Sequence, residues 1–225
     1  MEWAYGITTV PERIQSGCLE YTIDSLAQAG FDNPHLFVDD AFDSSWKSRI
    51  PERLHSYPVT GRYRRMGIHA NWVLSLTELC FLHPHADRFA IFQDDIFLVD
   101  WAKEYLDNYR IPEHAYLNLL TVKSNLDKKR AWEFYPAKNR CRGAQALVFS
   151  QKAARELLSS QPLMKYINNH RRGEGIDIIV ALAMKHKKHR PFVHTPTLAF
   201  HRVYESTVGH PQYQEMPLCK RERVV

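Results

Sequence analysis

One stretch, residues 88–99, constrains the fold more than any other: two apolar runs enclose the adjacent carboxylates Asp94 and Asp95. A short continuous apolar run predicts a buried strand, and strands buried on both faces belong to sheets that helices cover. Two carboxylates inside such a segment are costly to bury unless they are paired or bound to a cation. Because α/β proteins bind ligands at the carboxyl ends of parallel strands, we expect this pair to face Mg²⁺ or Mn²⁺. A turn that caps the next helix is the structural alternative.

The length and composition are those of one globular domain. With 225 residues, 44% of them hydrophobic and 24% charged, the chain is expected to form a single domain over residues 1–225. No apolar run reaches the ~18 residues of a membrane span, and the first residues lack the pattern of a signal peptide. The cysteines form no Cys-x-x-Cys pair, which favours reduced thiols and a cytoplasmic location. They are Cys18, Cys80, Cys141 and Cys219.

The net charge of the chain is +5. Such a balance favours polyanionic partners such as nucleic acid, phosphosugars or an anionic membrane surface. A solvated basic surface is the alternative. The basic residues concentrate at 62–65, 170–172, 185–190 and 220–223.

Hydrophobic periodicity predicts that strands and helices alternate along the chain. Strands are predicted at residues 4–9, 35–40, 58–61, 88–93, 116–122, 146–149 and 191–194. Helices are predicted at residues 19–29, 67–81, 101–109, 151–159 and 176–183, and loops at 123–142 and 195–210. This order predicts an α/β fold, with a mostly parallel central sheet and helices on both faces. The face of the 67–81 helix that is predicted to pack on the sheet consists of Ala70, Val73, Leu74, Thr77, Cys80 and Phe81.

Polar residues follow three of the predicted strands: Thr8 and Thr9, Asp39 and Asp40, and the Asp94–Asp95 pair. The ends of parallel strands share one edge of a sheet, so these groups could surround one nucleotide. The glycine-rich phosphate-binding motifs of dinucleotide-binding and P-loop proteins are absent from the sequence. A diphosphate at this edge must therefore be neutralised in another way, and a metal held by carboxylates would do so.

Seven short motifs follow one another over most of the chain: residues 7–13 (ITTVPER), 36–39 (LFVD), 71–72 (NW), 92–95 (FQDD), 143–145 (GAQ), 195–201 (TPTLAFH) and 206–209 (STVG). With this ordered set the chain resembles GT-A-type, nucleotide-sugar-dependent glycosyltransferases. More narrowly, it resembles bacterial and phage relatives of the N-acetylglucosaminyltransferase IV group. The Asp-x-Asp signature of such enzymes departs from its commonest form here and reads Gln93-Asp94-Asp95, which leaves open which carboxylate binds the metal.

The resemblance implies a role for each motif. By the family pattern, Asp95 binds Mn²⁺ or Mg²⁺, His201 completes the metal shell, and Asp94 lies near the ribose or the sugar. The remaining residues would contact the donor, which is expected to be a UDP-sugar. Thr8, Thr9, Pro11 and Arg13 would lie along the nucleotide, Asp39 would face the base or ribose, and His69 and Asn71 would flank the donor.

The chemistry of inverting transfer requires a base that deprotonates the acceptor hydroxyl. Asp177 is the best candidate, because it lies in the first turn of a predicted helix, after a glycine-rich turn and off the apolar stripe. A helix N-terminus favours the anionic form of such a residue. Glu174 is the reserve candidate, and Asp177 as a simple helix cap is the structural alternative.

The acceptor is expected to be a glycan, a small aglycone or a nucleic acid such as DNA with hydroxylated bases. Residues 123–142 combine seven Lys or Arg with Trp132, Phe134 and Tyr135, a mixture suited to a polyanion. Two other classes of protein compete with the glycosyltransferase. They are a nucleic-acid-binding module, which leaves the carboxylates unexplained, and a metal-dependent phosphohydrolase or nuclease, which needs more clustered ligands.

Overall fold

Strands and helices alternate along the chain in the computed structural model, which describes residues 1–40, 50–122, 132–137, 142–168 and 175–201. The strands are β1 Trp3–Thr9, β2 His35–Val38, β3 Val59–Gly61, β4 Arg88–Gln93, β5 Ile96–Leu98, β6 Ala115–Asn118, β7 Glu133–Pro136, β8 Ala146–Ser150, β9 Arg190–Thr195 and β10 Ala199–His201. The helices are α1 Pro11–Gln15, α2 Cys18–Gln28, α3 Ile68–Leu82, α4 Ala102–Asn108, α5 Gln151–Leu158, α6 Gln161–Asn168 and α7 Ile176–His186.

Eight of the described strands form the central sheet, in the order β3-β2-β1-β4-β8-β6-β9-β7. Strands β3, β2, β1 and β4 pair in parallel, as do β6 and β9. Strand β8 runs antiparallel to both of its neighbours, and β7 runs antiparallel to β9 at the edge. The predicted mostly parallel sheet is therefore confirmed, with its antiparallel pairs in the C-terminal half.

Helices cover both faces of the sheet. The apolar side chains of its strands belong to two hydrophobic clusters, one on each face. Ile7 and Phe92 face α2 and α4 in one cluster, whereas Phe89 and Ile91 face α3, α5 and α7 in the other. All four side chains are completely buried. Helices on both faces, as predicted from the alternation, leave the ends of the strands as the open edge of the sheet.

The predicted buried face of α3 is confirmed only in part, at Ala70 and Val73, which are both buried. The helix buries Trp72, Leu76 and Leu79, whereas Phe81, which was predicted to pack on the sheet, is 80% exposed. Ten of the fifteen residues of this helix are apolar and they occur on all of its sides, so the spacing does not select one face. The selection comes from tertiary contacts, in particular from Asn71, which is held against β2.

Two of the predicted loops contain strands. Residues 133–136 form the edge strand β7, and residues 199–201 form β10, which pairs with β5 in a separate two-stranded sheet. Both strands are short and pair only with partners distant in sequence, so no local pattern reveals them. Strand β1 ends at Thr9, and Pro11 begins α1, where proline is favourable because the first helical N–H needs no partner.

Several predictions fall on residues outside the described ranges. They concern Cys141, Cys219, Glu174, residues 206–209, most of the 123–142 loop and the basic groups at 170–172 and 220–223. Cys18 and Cys80 are free thiols, as predicted. Within the described ranges, no helix combines the length and apolarity needed to cross a membrane.

Candidate active site

The carboxylate pair lies at the carboxyl end of β4, in the tight connection to β5. Each of Asp94 and Asp95 is only 8% exposed. Strand β1 ends beside them, since Thr9 Oγ1 donates a hydrogen bond of 2.6 Å to Asp94 Oδ2. Thr8 Oγ1 donates to the carbonyl oxygen of Phe92 at 3.3 Å, so both threonines contact the end of β4. The parallel register of β1 and β4 thus brings the first and fourth sequence motifs together.

Helix α1 supplies a cation to this edge. Pro11 begins the helix, and the Arg13 side chain extends from its first turns so that Nη2 lies 3.5 Å from Asp95 Oδ2. Burial opposes the positive charge on Arg13, but Asp94 and Asp95 outweigh it and raise its pKa. Burial, together with repulsion from Asp95, raises the pKa of Asp94 to about 7. One arginine therefore only partly offsets two crowded carboxylates.

A histidine reaches the pair from the far end of the chain. Strand β10 pairs antiparallel with β5, which sets His201 opposite Ile96 and brings its Nε2 to 3.1 Å from Asp95 Oδ2. The hydrogen bond to Asp95 raises the pKa of His201 against the effect of burial. The structure thus brings together both residues that the sequence assigned to the metal, although they are far apart along the chain.

The remaining oxygen of Asp95 fits a metal ligand. Among the described residues, Oδ1 of Asp95 is buried and has no hydrogen-bond partner, although an unsatisfied buried carboxylate oxygen is costly. The described residues include no cluster of three or more His, Cys, Asp or Glu side chains arranged for a metal. Asp95 and His201 would therefore be the protein ligands, and water and phosphate oxygens would fill the other positions, as is usual for Mg²⁺ and Mn²⁺.

Cys18 is a residue of the site that the sequence analysis missed. Its Sγ donates to the carbonyl oxygen of Asp94 at 3.1 Å and accepts from Arg13 Nη1 at 3.4 Å. Burial and the negative charge of Asp94 raise the pKa of this thiol to about 11, so it remains a neutral donor. Cys18 positions the backbone of Asp94 and the Arg13 side chain, and no sequence spacing could have indicated this contact.

Asp39 follows β2 at the same edge and is 3% exposed. Its two carboxylate oxygens accept hydrogen bonds from the backbone N–H groups of Met66 and Gly67, at 2.7 and 2.9 Å. These contacts fix the segment that leads into α3, where Gly67 has a φ of +84°. Each carboxylate oxygen has two lone pairs, so each oxygen of Asp39 can accept one more hydrogen bond. The expected contact of Asp39 with a base or ribose stays a prediction.

The two donor residues predicted on α3 have different environments. Asn71 is 2% exposed, and its amide group accepts from Arg62 Nε at 2.9 Å and donates to the carbonyl oxygen of Phe37 at 3.1 Å. These bonds fasten α3 to β2, so Asn71 supports the fold at this position. His69, in the first turn of α3, is only partly buried.

Asp177 lies in the first turn of α7 and holds two backbone amides. Its Oδ2 accepts from the N–H of Gly143 at 2.9 Å, and its Oδ1 accepts from the N–H of Ile178 at 2.9 Å. The segment that contains Gly143 joins the carboxylate edge, since the carbonyl oxygen of Gln145 accepts from the N–H of Gln93 at 2.8 Å. The N-cap position of α7 is Gly175, which makes no side-chain cap hydrogen bond, so Asp177 joins the helix to the segment around Gly143 rather than capping it. Each oxygen of Asp177 keeps a lone pair.

Gln145 is a second residue that the sequence analysis did not assign to a role. Its Oε1 is buried and has no hydrogen-bond partner among the described residues. The segment around it is fixed by Asn118 Nδ2, which donates to the carbonyl oxygen of Gly143. The motif at 143–145 indicated the segment, but nothing in the sequence indicated that the amide oxygen would be unsatisfied.

The chain has an α/β fold of the GT-A type. Strands and helices alternate along it, helices cover both faces of the mostly parallel sheet, and the carboxylates lie at the strand ends. No protein-family model matches the chain, and no curated protein matches it in sequence. Solved structures do share the fold. GalNAc-T7, crystallised with UDP, GalNAc and Mn²⁺, superposes with a TM-score of 0.61 at 10% identity, over 90% of this chain and 44% of that one. The present chain thus spans less than half of the length of GalNAc-T7.

Two further glycosyl- or group-transferring proteins match more weakly. Mannose-1-phosphate geranyltransferase from Thermus thermophilus has a TM-score of 0.48 at 13% identity, over 86% of this chain and 74% of that one. The apo form of the glycosyltransferase GlyE of Streptococcus pneumoniae has a TM-score of 0.47 at 12% identity, over 84% and 45%. At these identities the likeness concerns the fold alone.

Proposed function

We propose that this protein is a glycosyltransferase that moves a sugar from a nucleotide-sugar donor, a UDP-sugar, to an acceptor hydroxyl with the help of Mn²⁺ or Mg²⁺. One observation carries the proposal. Asp95 presents a buried carboxylate oxygen without a partner among the described residues, beside His201 and at the strand-end edge of a GT-A-type sheet. The narrower relationship to the N-acetylglucosaminyltransferase IV group, the single-domain organisation and the cytoplasmic location stay predictions from the sequence.

The charges at this edge support binding of a diphosphate. Asp95 and His201 would hold the cation, which supplies positive charge for the leaving diphosphate when bound. Arg13 would supply a second cation next to the phosphates. Thr8 and Thr9, whose hydroxyl groups already contact the end of β4, would line the nucleotide.

The rest of the donor site follows the sequence prediction. Asp39 would accept from the base or ribose with its remaining lone pairs, and it is already fixed by two backbone amides. His69 would flank the donor from the first turn of α3. Asn71 would not contact the donor itself but would position α3, because its amide group holds α3 against β2.

For the acceptor step we propose inversion, with Asp177 as the general base. Hydrogen bonds from two backbone N–H groups orient its carboxylate, and the helix N-terminus favours its charged form. Asp177→Asn tests this role. We expect kcat to fall by about 100-fold or more while the KM for the donor and the melting temperature change little. A drop in melting temperature with nearly normal kcat would make Asp177 a structural residue that joins α7 to the segment around Gly143.

The experiment that tests the function is isothermal titration of the protein with UDP, in Mn²⁺ and in EDTA. Binding that requires the metal is the expected result. If UDP does not bind in either condition, while DNA binds regardless of metal, the protein is a nucleic-acid-binding module and the proposal is wrong.

Hydrolysis of a UDP-sugar in ¹⁸O-labelled water separates the transferase from a phosphohydrolase. When water replaces the acceptor, a glycosyltransferase breaks the bond between the anomeric carbon and the diphosphate oxygen. The label then enters the free sugar and UDP leaves unlabelled. A phosphohydrolase breaks a P–O bond, so label in the phosphate product would overturn the proposal.

A further inference from the structure

We propose that Gln145 recognises the transferred sugar of the donor, because its amide oxygen accepts a hydrogen bond from one of the hydroxyl or acylamino groups of that sugar. Gln145 would thus be a specificity-determining residue of the proposed glycosyl transfer, and the inference rests on that proposed function. Three observations on the described residues support it, and the order of the strands along the edge of the sheet agrees with them.

The first observation is an unsatisfied acceptor. Oε1 of Gln145 is buried and finds no hydrogen-bond partner in the described part of the chain. Such an oxygen is costly to leave without a partner, and nearly all buried polar groups of folded proteins are satisfied. The Gln145 side chain as a whole is only partly buried. A ligand that binds at the edge of the sheet could therefore supply the missing partner.

The second observation is the place of Gln145 in the sheet. Strand β8 begins at the edge where β4 ends, because the two strands are antiparallel and pair Ala146 with Phe92. The N–H of Gln93 donates to the carbonyl oxygen of Gln145 at 2.8 Å, which continues this register by one residue. Gln145 is therefore opposite Gln93, the residue that directly precedes the carboxylate pair.

The third observation connects Gln145 with the proposed base. The N–H of Gly143 donates to Asp177 Oδ2 at 2.9 Å. A Cβ atom added to Gly143 would lie 2.9 Å from Gln145 Oε1, so the unsatisfied oxygen lies directly beside the residue that binds Asp177. Gly143 has a φ of +90°, a conformation that favours glycine, and the lack of a side chain there leaves the space that this oxygen occupies.

These contacts set Gln145 between the two reacting ends of the proposed site. Its backbone is bonded to the strand that leads into Asp95, and its amide oxygen lies beside the residue that binds Asp177. Two residues of extended chain span at most about 7 Å, a distance on the scale of one sugar ring. In an inverting reaction the base acts on the face of the sugar opposite the leaving group. The transferred sugar would thus lie next to Gln145.

The order of the strands indicates the same position for the sugar. Along the edge, β2 with Asp39 is followed by β1, by β4 with Asp95 and by β8 with Gln145. Neighbouring strands lie roughly 4.8 Å apart, so about 14 Å separates the first of these strands from the last. A donor with its base or ribose at Asp39 and its diphosphate at the metal would therefore extend its sugar toward β8.

The chemistry of an amide oxygen selects the group that it recognises. Oε1 can only accept a hydrogen bond, and the ionised diphosphate of a nucleotide-sugar has no hydrogen to donate. The hydroxyl groups of a sugar and the N–H of an acylamino group do donate. Since the base and the ribose would lie at β2, the transferred sugar is the part of the donor that offers such a group at β8.

The test measures binding of donors in Mn²⁺ by isothermal titration, without an acceptor. The probes are UDP, UDP-glucose, UDP-galactose, UDP-N-acetylglucosamine and UDP-N-acetylgalactosamine. Gln145→Met retains the approximate length of the side chain and removes the acceptor. We expect this variant to bind UDP within about two-fold of the wild type and to bind the best UDP-sugar about three- to ten-fold more weakly, the loss that one hydrogen bond supplies.

Analogues of the best donor that lack one hydroxyl or acylamino group identify the group that Gln145 recognises. One of these analogues should bind the wild type more weakly than the parent donor does, but should bind Gln145→Met as well as the parent does. Such non-additivity is the mark of a direct contact. If every analogue loses the same affinity in both proteins, Gln145 contacts no group of the sugar and the proposal is overturned.

Two controls distinguish recognition from a structural role. Gln28→Met makes the same change at an exposed residue, the last of α2, and should alter neither UDP nor UDP-sugar binding. The melting temperature of Gln145→Met without ligand should equal or exceed that of the wild type, because the variant removes an unsatisfied buried acceptor. A clearly lower melting temperature would show that the amide is satisfied within the protein and would overturn the proposal.

The outcomes separate this inference from the proposed function. A selective loss of UDP-sugar affinity in Gln145→Met supports the inference. If Gln145→Met weakens binding of UDP and of UDP-sugars equally, or if the wild type binds UDP but none of the UDP-sugars, the inference is overturned while metal-dependent UDP binding still supports the transferase. If the wild type binds neither UDP nor any UDP-sugar, the proposed function fails, and the inference that rests on it fails too.

Discussion

Within the described ranges, a histidine Nε2 contacts a carboxylate in two places, at opposite ends of the sheet. His201 meets Asp95 at the carboxyl ends of the parallel strands, at 3.1 Å. His189, which directly precedes β9, meets Glu156 of α5 at 2.5 Å. Both contacts join segments that are distant in sequence, and the paired groups are chemically the same. Their surroundings differ, and this difference separates a candidate ligand site from a structural contact.

Asp95, at the strand ends, is crowded by a second carboxylate, whereas the charge of Glu156 is compensated by His189 and by water. Asp95 lies beside Asp94, and its Oδ1 is buried with no partner among the described residues. Glu156 has a side chain that is 34% exposed, so water can satisfy its second oxygen, and the hydrogen bond from His189 lowers its pKa. Unsatisfied buried charge is retained in a fold chiefly where a ligand compensates it.

The largest expected effect comes from removing each carboxylate in turn. Asp95→Ala should weaken UDP binding in Mn²⁺ by more than about 100-fold. This is a larger loss than is typical when a residue that only hydrogen-bonds to a metal ligand is removed. Its melting temperature without ligand should change little, since the repulsion between Asp94 and Asp95 is lost together with the contact to Arg13. Titration calorimetry and a thermal melt measure the two effects.

Glu156→Ala is the matched control and should show the reverse. It removes the acceptor of the completely buried His189 ring and should lower the melting temperature by roughly 3–10 °C, while metal-dependent UDP binding remains. If both variants lose stability to the same extent and neither changes UDP binding, Asp95 is a structural residue like Glu156.

Removing each histidine should also distinguish the two regions, but with smaller changes in ligand binding than removal of Asp95. The His201 side chain is 30% exposed, so His201→Ala should weaken binding of Mn²⁺ by about ten-fold or more with little loss of stability. The His189 side chain is completely buried, and His189→Ala should lower the melting temperature by about 4–12 °C through the cavity it leaves. A large drop in the melting temperature of His201→Ala without ligand would contradict the metal assignment.

The sequence predicted the parallel core and the carboxylates of the site for a physical reason. A buried strand that ends in Asp94 and Asp95 is a local pattern, and parallel pairing brings Thr8 and Thr9 to the same edge without further information. The contact of His201 with Asp95 is not local, because it depends on the pairing of β10 with β5. The resemblance suggested it, but the residue spacing alone could not.

The sequence did not predict the contacts made by neutral or apolar groups. The Cys18 thiol reaches Asp94 only through the packing of α2 on β4 and β5, and a buried cysteine resembles any other small apolar residue. The buried face of α3 is decided by Asn71 and its partners on β2. The exposure of Trp132 and the burial of Phe134 follow from the register of an edge strand with weak local signals.

The smallest expected effect is a dependence on pH that belongs to the structural pair. The hydrogen bond from His189 lowers the pKa of Glu156 below its usual value of 4.5. A carboxyl group whose pKa is lowered on folding contributes stability above the unfolded value and loses it as the pH falls through the folded value. Glu156→Gln should therefore melt up to about 3 °C below the wild type at neutral pH.

This difference should shrink as the pH falls from the unfolded pKa of Glu156 through its lowered folded pKa, and it should disappear once Glu156 is protonated in both states of the wild type. Glu113→Gln is the control, because Glu113 also has a lowered pKa, through its contact with Lys152, but lies on the surface, where ion pairs contribute less. Thermal melts of the three proteins across this pH range measure the effect. A Glu156→Gln difference that persists unchanged at low pH would show that the contact stabilises by packing and not by charge. The contrast with Asp95 would then rest on ligand binding alone.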